Sequence, residues 1–256
     1  MHLSRRLFTT LAASALTLPA AADTPDATLA AAIASPRRSP ANVARDRYRH
    51  PAELLAFFGL RPTQSVLELQ PGGGYWTEIL APYLRAHGSY TGAITDLTPH
   101  EQDLKAAFAR KFPGVHTVPF GHGPLGAPDS YDLILSFRNL HDWMAQDRAT
   151  ALLQAVYAAL KPGGVFGIED HRAPTTAPQD PKAKNGYVRE DYAKALIESV
   201  GFKFVAASEI GANPKDTKTY PDGVWSLPPT LREGQTNRAK YLAIGESDRW
   251  TLKFTK

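Results

Sequence analysis

The chain has 256 residues, 43% of them hydrophobic, 21% charged and 10% aromatic, with a formal net charge of +4. That length allows one medium-sized domain or two small ones, and the composition excludes collagen-like, coiled-coil and wholly disordered classes. No apolar run reaches the roughly 20 residues that cross a bilayer, and the absence of cysteine excludes disulfides, thiolate metal sites and a cysteine nucleophile.

The chain opens with Arg5 and Arg6 ahead of a mostly apolar stretch from Leu7 to Leu18, and Ala20, Ala21 and Ala22 precede Asp23 in the pattern of a cleavage site. Residues 1–22 are therefore expected to be a secretory signal. The order Ser4-Arg5-Arg6-Leu7-Phe8 resembles a twin-arginine signal, which implies export of the folded chain to the periplasm. Losing Arg5 and Arg6 and no acid lowers the charge from +4 to +2, too little and too scattered to point to nucleic acid. Residues 23–40 are rich in Ala, Pro and Ser and read as a flexible tether before a domain spanning 41–256.

Helical stretches follow from Pro40 to Arg49 and from Pro51 to the stop at Gly59. Ser65 to Leu69 is a short apolar strand that turns at Pro71-Gly72-Gly73-Gly74 into a helix carrying Trp76, Ile79, Leu80 and Leu84. Tyr90 to Thr95 is a second strand, closed by Asp96. Thr98, Pro99 and Glu101 form the pattern of a capping box for a helix from Pro99 to about Phe112. Strands are expected at Val115–Phe120, Tyr131–Phe137, Val165–Glu169, Phe202–Ala207 and Trp250–Phe254, with helices over Gln146–Leu160 and Arg189–Val200. Apolar strands alternating with helices signify an α/β doubly wound sheet with helices on both faces. Ligands of such a sheet bind at the carboxyl ends of the strands near the switch in strand order.

Three features at those ends stand out. The run Gly72, Gly73, Gly74 lets a ligand approach the backbone at a helix amino terminus. Glu68 is an acid in a buried apolar strand and needs a partner, either a ligand ammonium or the N–H groups of its own loop. Asp96 stands where an acid can take both hydroxyls of a ribose or, equally, serve as an ordinary turn residue. Tyr75, Trp76 and Thr77 fill the place where a G-x-G-x-x-G dinucleotide loop needs its third glycine, which disfavours an NAD-dependent oxidoreductase.

Val66-Leu67-Glu68-Leu69-Gln70-Pro71-Gly72-Gly73-Gly74 resembles the first motif of the class I S-adenosylmethionine-dependent methyltransferases, an acid followed by a G-x-G-x-G loop. Tyr131-Asp132-Leu133-Ile134 resembles the start of that family's fourth strand, and Leu160-Lys161-Pro162-Gly163-Gly164 the turn before its fifth. The likeness spans about 51–210. The phrases Pro71-Gly72-Gly73-Gly74-Tyr75-Trp76 and Arg138-Asn139-Leu140-His141-Asp142-Trp143 are similar to an exported subgroup. The resemblance implies a Rossmann-like sheet of about seven strands, mostly parallel with an antiparallel last strand. It also implies S-adenosyl-L-methionine as cofactor and a small or medium-sized acceptor.

Cofactor contacts would fall on Glu68, Gly72, Gly73, Gly74, Asp96, Phe137, Arg138 and Asn139, with His122 where the family often has an adenine-binding acid. Gln70 replaces the loop's first glycine, so the backbone there must avoid a positive φ or bear strain. His141 and Asp142 beyond the fourth strand and His171 beyond the fifth lie at the right edge to supply a catalytic base, His141 foremost. Tyr187, Arg189 and the 220–231 part of a lid-like insertion at 211–247 would wall the acceptor site, unless they are plain surface loop. Arg37, Arg38, Arg45, Arg47 and Arg49 read mainly as solvated helix faces. No metal-ligand spacing stands out. A protein that kept the nucleoside pocket and lost turnover is the alternative from another class.

Overall fold

The computed structural model describes residues 27–256, and the expected signal at 1–22 lies outside them. Four helices come first: α1 (Ala27–Ile33), α2 (Pro40–Val43), α3 (Asp46–Arg49) and α4 (Pro51–Phe58). Pro40 and Pro51 start their helices, where a missing N–H removes no bond. Gly59, at φ 77°, ends α4 by donating to the carbonyls of Ala56 and Leu55. The single stretch expected from Pro40 to Arg49 is instead two short helices, and the break at 44–45 brings the Asp46 carboxylate to Arg38 (2.6 Å) and to the Tyr75 hydroxyl (2.6 Å).

The tether expectation is corrected over its described part. α1 packs on α4 and α5 with Leu29 2% exposed, and Arg38 is buried with its guanidinium on Asp46 and the Ile33 carbonyl. Alanine-rich sequence suits a helix as well as a linker, and Leu29 and Ala32 give this one an apolar face.

The rest alternates as expected: β1 (Ser65–Leu69), α5 (Thr77–Leu84), β2 (Ser89–Ile94), α6 (Pro99–Lys111), β3 (His116–Pro119), β4 (Tyr131–Phe137), α7 (Leu140–Ala145), α8 (Ala149–Ala159), β5 (Leu160–His171), α9 (Glu190–Ser199), β6 (Lys203–Ser208), α10 (Arg238–Ile244) and β7 (Arg249–Thr255). The sheet order is β3-β2-β1-β4-β5-β7-β6, parallel except that β7 runs antiparallel to both neighbours. The Thr98 hydroxyl and the Glu101 carboxylate cap each other's backbone N–H groups at the start of α6.

Strand alternation sorts the core into two layers. Leu67, Leu69, Ile134, Phe166 and Ile168 face α8 and α9, while Val66, Leu133, Leu135 and Phe137 face α4 and α5. Helix α7 departs from expectation, in which the next helix after β4 begins only at Gln146. Its preceding residue, Asn139, makes no capping bond; its amide nitrogen donates instead to the Leu69 carbonyl (3.0 Å). In the expected lid, residues 211–247, a 3-10 turn at Gly223–Ser226 and α10 close a small core of Tyr220, Leu227 and Tyr241.

Leu29→Ala tests whether α1 belongs to the fold. Removing a fully buried leucine costs about 2–5 kcal/mol, so the thermal midpoint of the variant should fall by several degrees, whereas an unchanged midpoint would mean that α1 carries no packing energy.

Candidate active site

The strand order reverses at β1, whose neighbours are β2 and β4. The turn after β1 takes Gln70, Gly72 and Gly74 through positive φ at 48°, 54° and 81°. Gln70 therefore bears the strain foreseen for a non-glycine, of order 1 kcal/mol or more. It is held there by its N–H on the Ala93 carbonyl (2.8 Å) and by its Oε1, which accepts from the Trp143 indole (2.6 Å). A Cβ on Gly72 or Gly73 would meet nothing within 4 Å, so these two open onto the cleft. On Gly74 it would lie 2.2 Å from the Phe112 ring. A side chain there is excluded by the end of α6, and Gly74 does not line either lobe of the cleft beside the turn.

Two lobes share Gln70, Pro71, Gly72 and Asn139 beside this turn. One, of about 160 Å³, is polar and is lined by Glu68, Arg45, Arg49 and Arg138 with Trp76 and Phe137 stacked 4.2 Å apart in its wall. The other, of about 190 Å³, is apolar, with Ile94, Leu104 and Phe108. A larger cavity of about 620 Å³ lies against the outer side of α5 and the end of α6, away from the strand ends.

Glu68 is 1% exposed, and its Oε2 accepts from the Tyr90 hydroxyl (2.5 Å) and the Thr77 hydroxyl (3.3 Å). Burial outweighs these bonds and pushes its carboxyl up to about 7. Its partners are thus side chains of β2 and α5 rather than the N–H groups of its loop. Asp96 lies at the rim, where the Lys105 ammonium (2.5 Å) holds its carboxyl below the usual range and His122 stands 3.7 Å away. Asp96, His122 and Lys105 lie together, but none of the three lines either lobe; Asp96 only adjoins Thr95, which lines the apolar one.

Above the polar lobe lies a network of buried charge. Glu246 accepts from Arg45 (2.6 Å), Arg49 (3.2 Å) and Arg249 (2.8 Å), and the Arg249 guanidinium also stands 3.0 Å from Glu169. Arg49, Glu246, Arg249 and Glu169 are each at most 3% exposed. Burial raises the Glu246 carboxyl, but the guanidiniums, Arg49 foremost, hold it well below its ordinary value. Burial, reinforced by Arg138, pushes Arg49 down to about 9. Arg45 Nη2, Arg49 Nη2, Arg138 Nε and the Trp76 indole N–H have no hydrogen-bond partner among the described residues. The solvated reading of Arg38, Arg45 and Arg49 is therefore overturned: two of the three are buried and all are paired.

On the other face, Asp170 at the end of β5 accepts from His141 twice, through Nδ1 (2.8 Å) and the backbone N–H (3.1 Å). Burial lowers the His141 imidazole, but Asp170 outweighs it and raises it above its ordinary value. Its Nε2 lies 3.6 Å from the exposed Asp142, and the ring lines a separate cavity of about 350 Å³ with Asp142, Lys184 and Trp225. His171 is bonded to the Ser247 hydroxyl (2.5 Å), and burial together with nearby cations holds its imidazole neutral. His141, Asp170 and His171 offer ligand atoms within 4.8 Å of one another, beside the positive charges of Arg138, Arg249 and Arg49. Tyr187 is buried on Asp216, and Arg189 pairs with Asp191 at the surface. Neither residue lines the cavities around His141 or the glycine turn described above.

Asp170, Glu169, Glu246 and Arg249 were missed. The signal was present, since Glu169 and Asp170 end an apolar strand just as Glu68 does, and only Glu68 was questioned. The expected set otherwise gathers as two groups, Glu68, Gly72, Gly73, Phe137, Arg138 and Asn139 around the polar lobe and His141 with Asp142 at the neighbouring cavity.

The Glu68 carboxyl binds its proton more tightly in the folded chain than in the unfolded one, so its contribution to stability falls as pH rises from 4.5 to about 7. A shift of that size corresponds to about 3 kcal/mol. Denaturant titrations at pH 5 and 7.5 should show this loss in the native chain and little of it in Glu68→Gln; an identical pH dependence in both would contradict the assignment.

Residues 67–166 match the family model of a methyltransferase domain. None of the curated proteins matches the chain. Among solved structures, a SAM-dependent methyltransferase from Aquifex aeolicus is 15% identical with a TM-score of 0.55, over 84% of this chain and 93% of that one. A putative sarcosine dimethylglycine methyltransferase from Galdieria sulphuraria is 13% identical with a TM-score of 0.56, over 86% and 89%. The [4+2]-cyclase SpnF is 14% identical with a TM-score of 0.56, over 86% and 83%. The seven-stranded sheet is therefore the Rossmann-like fold of the S-adenosylmethionine-dependent methyltransferases, and the segment 67–166, which carries the glycine turn and β4, matches the methyltransferase-domain family.

Proposed function

We propose that the protein is an S-adenosylmethionine-dependent methyltransferase acting on a small or medium-sized acceptor. The observation that carries this reading is the two-lobed cleft at the β1 turn, with a buried carboxyl and unpartnered guanidinium N–H groups in one lobe and apolar walls in the other. The matched methyltransferase domain over 67–166 supports it and does not favour hydride transfer. The neighbouring cyclase shows that the fold by itself does not select the reaction.

The residues present fit such a cofactor. Glu68 would face its ammonium and Arg138 its carboxylate, and Gly72 and Gly73 leave room beside the turn. Ile94, Leu104 and Phe108 offer an apolar slot for adenine, and Asp96 stands at the rim to take the ribose in exchange for Lys105. The cofactor, when bound, supplies an electrophilic methyl group on sulfur. What the chain adds is alignment and exclusion of water. For an O–H or N–H acceptor it also adds a base: His141, held in orientation by Asp170, lines the cavity next to the polar lobe, and an acceptor reaching from one into the other would hand it that proton. The amino-terminal sequence supports export of the folded chain as part of this proposal.

Calorimetry of the full chain should show S-adenosylhomocysteine binding that Asp96→Ala weakens by about tenfold or more, as expected for loss of charge-assisted bonds worth roughly 1.5–3 kcal/mol; unchanged affinity would refute the ribose assignment. His141→Ala should leave that affinity nearly intact while lowering turnover on any acceptor found in a library screen. Because Asp170 raises the imidazole, the native rate should climb with pH through a value above 6.5, and Asp170→Asn should move that rise to lower pH. Equal loss of binding and turnover in His141→Ala would mark a structural role.

A further inference from the structure

The charge balance around the polar lobe does not close. Arg45, Arg49, Arg138 and Arg249 act on one another and on Glu246 and Glu169, the two carboxylates buried among them; Glu68, beside Arg49, is pushed up to about 7 and is counted with the cofactor below, and Asp142, which also acts on Arg138, is solvent-exposed in the neighbouring cavity. Arg38 is matched by Asp46 and His141 by Asp170, so neither changes the count. Two positive charges are therefore in excess within a largely desolvated cluster, where each uncompensated ion costs several kcal/mol.

A bound cofactor does not remove the excess. Its sulfonium and ammonium add two positive charges, its carboxylate and an ionised Glu68 add two negative ones, and the surplus of two stays. The cluster is thus built for more negative charge than the cofactor brings. Arg49, 3% exposed, lines the lobe with Nη2 unpartnered. Arg45 lines it too, 21% exposed at its mouth and also with Nη2 unpartnered. These two guanidiniums come from the helical cover around α2 and α3 rather than from the glycine turn, and they line the lobe together with Gly72 and Gly73.

We propose that the acceptor is an oxyanion-bearing small molecule, a carboxylate or a phosphate, whose charged group docks on Arg45 and Arg49 alongside the bound cofactor. This inference rests on the methyltransferase reading and specifies its acceptor class. The guanidinium fork suits either group, through two parallel N–H···O bonds. An anion there also offsets the sulfonium beside it.

The test is calorimetry at low ionic strength on the full chain saturated with S-adenosylhomocysteine, titrated separately with malonate and with inorganic phosphate. S-adenosylhomocysteine lacks the sulfonium and still leaves one positive charge in excess. One anion per chain should bind without displacing it. Arg45→Gln should weaken the anion by about tenfold or more and Arg45→Lys by less, while S-adenosylhomocysteine affinity falls by a clearly smaller factor than anion affinity in both. The preferred probe distinguishes a carboxylate from a phosphate acceptor. Displacement of S-adenosylhomocysteine by the anion would assign the arginines to the cofactor alone and overturn the proposal. Anion binding indifferent to Arg45→Gln, or absent altogether, would overturn it as well. Failure of S-adenosylhomocysteine itself to bind would overturn the cofactor reading instead, and the same titration of the unloaded chain and of Arg45→Gln would then decide whether Arg45 recognises an oxyanion.

Discussion

The interaction on which the site depends is the buried chain of charge from Arg49 through Glu246 and Arg249 to Glu169. It links the amino-terminal cover to the last strand and to β5 across the carboxyl edge of the sheet. Ion pairs at this depth are weak contributors to stability, because desolvation offsets most of their attraction. Their value here is position: the Arg249 guanidinium also donates to the Tyr48 carbonyl, and Arg45 and Arg49 are both fixed on one carboxylate. The cover is thereby placed over the glycine turn, and the 160 Å³ lobe exists only because α3 stands where this network puts it.

The pleat of β5 divides the chemistry. Glu169 and Asp170 are neighbours in sequence and point to opposite faces, as successive strand residues must. Glu169 joins the guanidinium network under α3, while Asp170 turns to His141 on α7. Charge recognition and the proton-accepting imidazole therefore lie at adjacent strand ends in separate cavities. Gln70 crosses the same boundary, its strained backbone shaping the turn while its amide oxygen anchors Trp143 at the base of α7.

Much of the fold was legible because its signals are local. Apolar runs, the capping box at Thr98 and the stop at Gly59 depend on neighbours within a few residues; β1 and β4 coincide with their expected bounds, and the other five strands differ from theirs by one to five residues. Helix α7 was hidden because at six residues it is too short to show a full apolar period. The packing of α1 was hidden because an alanine-rich stretch carries no sign of its partner. At the site, Glu68 stood out as an acid in an apolar strand. The guanidinium network did not, since Glu246 lies about 200 residues from Arg45 and Arg49, and only tertiary contact distinguishes these arginines from the exposed Arg37 and Arg47 on the same segment.

The central claim is that the cleft beside the β1 turn holds the adenosyl cofactor with its amino-acid end under the arginines. A crystal structure of the full chain grown with saturating S-adenosylhomocysteine tests it most directly. The account predicts adenine against Ile94 and Phe108, the ribose at Asp96, and the ammonium facing Glu68 within the arginine-lined lobe. Adenine seated in the outer cavity against α5, or a cleft that stays closed to the nucleoside at saturating concentration, would contradict it.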